Sequence, residues 1–187
     1  DILINNAGTI FFKRKINCSN MNKTVFVNFV APVYLFYCLK TKLLNSNRPR
    51  LINIVSDPDN YFNKSPKLNL NFWYYYTKSK FYLVLFTFFI KKRIIKINSI
   101  CINPGRMSTN FGKDNNLLKF LFFFYHYCFG QKPKKVAFKI AQIIFKNKNS
   151  KKVFYTLTKN KKFIFNKKDN KLINRIICVI KKKLLKK

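Results

Sequence analysis

The sequence predicts an α/β protein built on a parallel sheet with helices on both faces. Short apolar runs that stop at polar or glycine-containing turns read as buried strands: DILINNAG from Asp1, RLINIVS at Arg50–Ser56, IKINSICI at Ile95–Ile102 and KKVFYTL at Lys151–Leu157. Longer segments with apolar residues at helical spacing separate them. The order strand–helix–strand–helix–strand–helix–strand is the third observation, since parallel neighbours need a crossover connection and helices supply it.

The elements follow in chain order. The first strand is stopped by the turn in NNAG. In Lys23–Leu44, Val25, Phe29, Val33, Phe36, Leu39 and Leu43 recur at helical spacing, and Pro32, which has no N–H, predicts a kink. DPDN breaks the strand Arg50–Ser56, and a loop runs to about Leu70. A long helix is predicted from about Phe72 to Arg93. NPG closes the strand Ile95–Ile102, and after a Phe-rich loop Lys132–Phe145 reads as a helix before the strand Lys151–Leu157. Residues 1–158 therefore form one α/β domain. Residues 159–187 are expected to be a basic tail, in which Leu172–Lys187 has the pattern of an amphipathic helix.

Charge narrows the partners less than its size suggests. With 39 Lys and Arg against 5 acids, all Asp, the net charge is +34, which favours anionic partners. The excess is spread along the chain with Asn, Ile, Phe and Tyr, residues with A/T-rich codons, so compositional drift in an A/T-rich genome is the competing explanation for it. No zinc-finger spacing, arginine-rich arm or aromatic RNA-binding motif accompanies it, so no specific nucleic-acid partner is expected. The five cysteines show no CxxC spacing and suit reduced thiols facing the cytosol, and a lone His126 without an acidic neighbour is poor material for a metal site. No uninterrupted apolar run reaches the ~20 residues of a membrane span.

In parallel sheets, ligands sit at the carboxyl ends of the strands. Polar or Gly-containing groups lie at three of those ends: NNAG after the first, Ser56 after the second, NPGRMST after the third. Between the second and third strands, NFWYYYTKSKF holds two overlapping Tyr-x-x-x-Lys pairs, Tyr74 with Lys78 and Tyr76 with Lys80. Residues four apart share a helix face, so either pair can set a phenol beside an ammonium. Spacing alone does not choose between them, nor between a catalytic pair and an aromatic helix with solvated lysines.

This ordered set resembles the second half of the short-chain dehydrogenase/reductase superfamily. The matching motifs are Asn5-Asn6-Ala7-Gly8, Asn28 in VNFVAP, Ser56 in INIVS, Tyr-x-x-x-Lys, and Pro104, Gly105 and Thr109 in the last segment. YTKSKFYLVLFT is similar to the retinol-dehydrogenase-like branch when Tyr76 and Lys80 are the pair, with Ser79, Val84, Leu85, Phe86 and Thr87 then in place. The resemblance implies a Rossmann-like doubly wound sheet lacking its first three strands, and NAD or NADP as cofactor. It implies Tyr76 as acid/base, Lys80 as modulator of the phenol pKa and ribose ligand, Ser56 on the substrate oxygen and Asn28 holding a water in a proton relay. Asn6, Ala7 and Gly8 would line the adenosine side, and Pro104, Gly105 and Thr109 the nicotinamide.

The implied activity interconverts a lipophilic alcohol and its aldehyde or ketone. The aromatic segment Asn110–Gly130, where the family places its substrate lid, fits such a substrate. Asp57 and Asp59 depart from the family's small residues after the catalytic Ser and set two carboxylates near the substrate mouth. The family's T-G-x-x-x-G-x-G phosphate loop is absent, only four Gly being present, and the start at Asp1 in an apolar run gives the chain the look of a fragment. The alternatives are a degenerate, non-catalytic relative and a basic membrane- or nucleic-acid-binding protein on the same fold. An anionic membrane surface touched by Leu172–Lys187, a homodimer through the two long helices, and a location in the cytosol or on the cytosolic face of an intracellular membrane complete the expectations.

Overall fold

The computed structural model describes residues 1–11, 16, 21–56, 71–108, 128, 130–146, 151–157, 163 and 165–184. Strands β1 (Ile2–Asn5), β2 (Arg50–Ile54), β3 (Asn98–Asn103) and β4 (Phe154–Thr156) form one sheet in the order β1-β2-β3-β4, and every pair is parallel. The register sets Asn5 beside Asn53, Asn53 beside Cys101, and Cys101 beside Phe154. Among the described residues four helices accompany the sheet: α1 (Lys23–Leu44), α2 (Asn71–Arg93), α3 (Pro133–Lys146) and α4 (Lys167–Leu184).

β3 starts three residues later than the apolar run suggests. Helical bonding continues past Arg93 through Ile94 N–H to Ile90 O at 2.8 Å, and Ile97 N–H closes a turn on Ile94 O at 3.0 Å. Ile95 is thereby thrown into solvent, 89% exposed, and the strand begins only after buried Ile97.

α1 opens under Asn22, whose Oδ1 accepts from Thr24 N at 3.0 Å and Val25 N at 3.4 Å. Phe26–Val30 is a π turn, and regular α-helix resumes at Ala31–Leu44. The cause lies in the sequence: the α-helical donor to the Asn28 carbonyl would be the N–H of residue 32, which is proline. The kink predicted at Pro32 thus takes the form of a widened turn just before it. By length and composition α1 is long and apolar enough to cross a membrane, but Phe29, Val33, Phe36 and Leu43 are buried in the core.

β2 and β3 bury both of their faces, as central parallel strands do. Leu51, Val55 and Cys101 join Phe29, Val33, Phe36, Val84, Phe86 and Ile90 in the larger core, between the sheet and α1, α2 and α4. Ile52, Ile54, Ile100, Ile102 and Tyr155 face the other way, onto Ile140, Ile143 and Ile144 of α3. All three crossovers step in the same direction across the sheet, yet α3 lies on the face opposite α1 and α2. Its crossover therefore has the opposite hand, against the strong general preference.

The carboxyl-terminal segment belongs to the larger core. Phe163 and Phe165 lie 5.4 and 5.3 Å, centroid to centroid, from Phe88, and Ile173, Ile177 and Ile180 of α4 are buried against the same cluster. The helix starts five residues before Leu172, at a reciprocal cap. Asp169 N–H donates to Asn166 Oδ1 at 2.9 Å, and Asn166 N–H donates to Asp169 Oδ2 at 3.1 Å. The expected boundary at 158/159 is consequently not a break in packing. Ile177→Ala is expected to destabilise the chain by about 2–4 kcal/mol and Asp169→Ala by about 1 kcal/mol in chemical denaturation. A freely projecting tail would leave the unfolding midpoint unchanged in both.

Candidate active site at the strand ends

The site is organised by amides at the carboxyl ends of the strands. Asn5 Nδ2 donates to Asn53 Oδ1 at 2.7 Å, and Asn53 Nδ2 donates to Thr87 Oγ1 at 2.8 Å. Thr87 in turn donates to Leu83 O at 2.8 Å, so the ends of β1 and β2 are tied to α2 through buried groups. Buried polar groups are costly when unpaired, and in this chain each satisfies the next, whereas the buried Ser99 hydroxyl on β3 has no partner among the described residues. Asn103 repeats the device on β3, donating to Thr156 Oγ1 at 3.5 Å and accepting from Gly105 N at 3.0 Å. Gly105, at φ 76°, takes the left-handed turn after buried Pro104.

Asn28 lies fully buried in the π turn. Its Oδ1 accepts from Thr9 N at 2.8 Å, and its Nδ2 donates to Thr9 O at 2.8 Å and to Ser79 Oγ at 3.1 Å. Ser79 donates onward to Tyr76 O at 2.7 Å. The carboxamide thus clamps the segment after β1 to α2, and both of its N–H donors are used. The backbone carbonyl of Asn28 is the group that Pro32 deprives of its α-helical donor.

α2 brings the predicted pair to the same place. The Tyr76 hydroxyl is hydrogen-bonded to the Ser56 side chain, while Lys80 Nζ donates to Ile54 O at 3.0 Å from a position 6% exposed. Gly8 completes the cluster: a Cβ there would come within 3.1 Å of Lys80 Nζ and 3.6 Å of Asn28 Oδ1. The rival pair lies outside it. Lys78 Nζ donates to Tyr74 Oη at 2.8 Å on the outer surface, where Tyr74 is 39% exposed.

Burial dominates the electrostatics. It pushes the Tyr76 phenol above its ordinary value of 10, and the hydrogen bond with Ser56 works only partly against it. Burial also lowers the Lys80 ammonium to about 8. The expected lowering of the phenol by Lys80 is not what this arrangement gives. The ammonium is turned to the Ile54 carbonyl, and desolvation is the larger influence on the phenol.

Asn6 and Ala7 lie exposed at the end of β1, next to Gly8. Thr109, Asp57, Asp59, His126 and most of the aromatic segment Asn110–Gly130 lie outside the described residues. The sequence reading gave no role to Asn53, Asn103, Thr9 or Ser79. One signal for the first two was present: ILIN, RLINI and NSICIN each carry an Asn inside an apolar strand, where a polar side chain needs a partner.

No family model and no curated protein matches this chain. Solved structures do. An alcohol dehydrogenase of the archaeon Thermococcus sibiricus, complexed with 5-hydroxy-NADP, aligns at TM-score 0.57 and 17% identity over 88% of this chain and 66% of that one. A short-chain dehydrogenase from Streptomyces avermitilis aligns at TM-score 0.56 and 15% identity over 99% of this chain and 67% of that one. A 4-hydroxyisoleucine dehydrogenase complexed with NADH aligns at TM-score 0.55 and 18% identity, over 84% and 66%. The chain thus spans about two thirds of the length of these neighbours. At such identities the likeness is one of architecture: the chain has the Rossmann-like α/β fold of the short-chain dehydrogenases.

Proposed function

We propose that this chain carries the catalytic half of an NAD(P)-dependent oxidoreductase that interconverts a lipophilic alcohol and its aldehyde or ketone. The observation that carries the reading is the convergence of Ser56, Tyr76 and Lys80 at the strand ends, with Gly8 beside both Lys80 and Asn28. The solved neighbours complexed with NADP and NADH support the choice of cofactor. The retinol-dehydrogenase-like substrate rests on the YTKSKFYLVLFT frame and the aromatic composition of Asn110–Gly130.

The residues present fit the nicotinamide and ribose end of such a cofactor. Lys80 offers three N–H donors, of which the Ile54 carbonyl takes one, beside a glycine that leaves room for close approach. Pro104 and Gly105 stand at the end of β3 to line the other side. When bound, the cofactor supplies or accepts the hydride. The chain's own part is to hold the substrate oxygen on the Ser56 hydroxyl and to pass one proton through Tyr76 Oη. A phenol above 10 is a poor base near neutrality, so the proton transfer gains from positive charge brought close to Tyr76. The pyrophosphate needs a glycine-rich segment that these 187 residues do not contain.

Activity is therefore to be measured on the longest chain that the upstream reading frame encodes. There Tyr76→Phe is expected to lower turnover by about 10²-fold or more with little change in cofactor affinity, and Tyr74→Phe to leave turnover near the parent's. Loss of turnover in Tyr74→Phe instead would assign the chemistry to the outer pair. Retinoids or fatty aldehydes are expected to be preferred over small polar carbonyls, and the reverse preference removes the lipophilic assignment. An upstream frame without T-G-x-x-x-G-x-G favours the non-catalytic relative.

Lys80 gives a test that needs no substrate. Its folded pKa of about 8 lies below the ordinary 10.5, so the unfolded chain binds more protons between those values, and stability must rise with pH across that window. Replacing Lys80 by Met is expected to remove roughly 1–3 kcal/mol of that rise, read as the difference between variant and parent in denaturation at pH 7.5 and pH 10. Parallel curves for the two proteins would show an ordinary, solvated lysine.

A further inference from the structure

We propose that the outward face of α3 is a docking surface for an anionic lipid bilayer. α3 packs Ile140, Ile143 and Ile144 against the sheet and also buries Val136, yet its opposite side shows Phe138 at 65% and Phe145 at 61% exposure. Seven residues apart, the two rings share one face and stand about 10 Å apart along the axis. Lys134, Lys135 and Lys146 are exposed around them, and the Arg50 guanidinium lies 5.7 Å from the Phe145 ring centroid. The helix carries no acid.

The occupant must accept two large apolar groups and several cations on one convex surface. A second copy of this chain docked face to face would set lysines against lysines. A single-stranded nucleic acid is bound where aromatic rings line a charged groove, whereas these rings project from a convex helix. An anionic bilayer offers phosphates for the lysines and an apolar layer beneath them for the rings. α4 is the less suitable helix, because Ile173, Ile177 and Ile180 of its apolar stripe are already buried in the core. Docking through α3 also places the segment after β3 beside the lipid. Gln131 N–H donates to Arg106 O at 3.0 Å and Ser108 N–H to Gln131 O at 3.1 Å, joining the start of the helix to the residues that follow Pro104 and Gly105.

The test is co-sedimentation of the full chain with phosphatidylcholine vesicles, with and without phosphatidylserine, at about 0.15 M salt. Net charge alone would draw the chain to anionic vesicles, so dependence on the rings is the discriminating result. The double variant Phe138→Ser, Phe145→Ser is expected to lose about tenfold or more in affinity for anionic vesicles, while Val179→Ser on α4 leaves it unchanged. In a Trp73→Phe, Phe138→Trp variant, indole fluorescence is expected to shift to the blue on adding anionic vesicles. Equal binding by the double variant and the parent overturns the proposal, as does an indole that stays in water. Ring-dependent binding to a single-stranded polynucleotide, or a dimer that the double variant abolishes, without ring-dependent vesicle binding, assigns the face to those partners instead.

Discussion

The arrangement at the strand ends depends on one carboxamide. Asn28 holds both backbone polar groups of Thr9 and the hydroxyl of Ser79, so three segments distant in sequence share one buried hydrogen-bonding centre. It works with the Asn5–Asn53–Thr87 chain, which ties the end of β1 to α2, and with Phe11 N–H on Thr24 Oγ1, and together they hold Gly8 near Lys80. The π turn belongs to the same constraint. Pro32 removes the donor that would keep α1 regular, and the widened turn is where Asn28 sits. Losing a buried amide of this kind leaves its partners unpaired, which costs more than the bonds contribute when made.

The sheet and its helices were legible because strand and helix write different periods. Ile52 and Ile54 alternate with Leu51 and Val55 toward opposite cores, and α1 repeats its apolar residues at helical spacing. Boundaries were less legible: the apolar run Ile94–Ile97 looks like the start of a strand, but it turns because backbone bonding from α2 runs on past Arg93. The side of the sheet that α3 covers was not legible at all, since period says that a helix has an apolar stripe and not which face of a sheet receives it. The handedness rule would have placed α3 with its neighbours.

The site divides in the same way. Two Tyr-x-x-x-Lys pairs are identical as spacing, and their environments separate them: Lys80 enters the protein beneath the Ile54 carbonyl, and Lys78 stays on the surface with Tyr74. Sequence periodicity cannot weigh burial against a neighbouring cation, so the direction in which Tyr76 is displaced emerged only from the packing. The terminal helix is a comparable case. Its stripe of Ile and Leu among lysines suits a lipid surface and a protein core equally well as a pattern, and Phe88, Phe163 and Phe165 build the core that receives it.

Apart from Lys80, the inner polar framework around the strand ends is built of amides and hydroxyls, Asn5, Asn28, Asn53, Ser79, Thr87 and Asn103, and among the described residues it contains no carboxylate. Such groups keep their charge state across the whole range in which proteins are handled. Acid unfolding usually proceeds by protonating carboxylates that folding had placed in favourable settings; here that lever is nearly absent, with Asp169 the one buried acid among the described residues. Acidification should therefore act on this molecule mainly through repulsion among its many cations, which dissolved salt can screen. Ionic strength, more than proton concentration, becomes the variable that sets how well the fold survives at low pH.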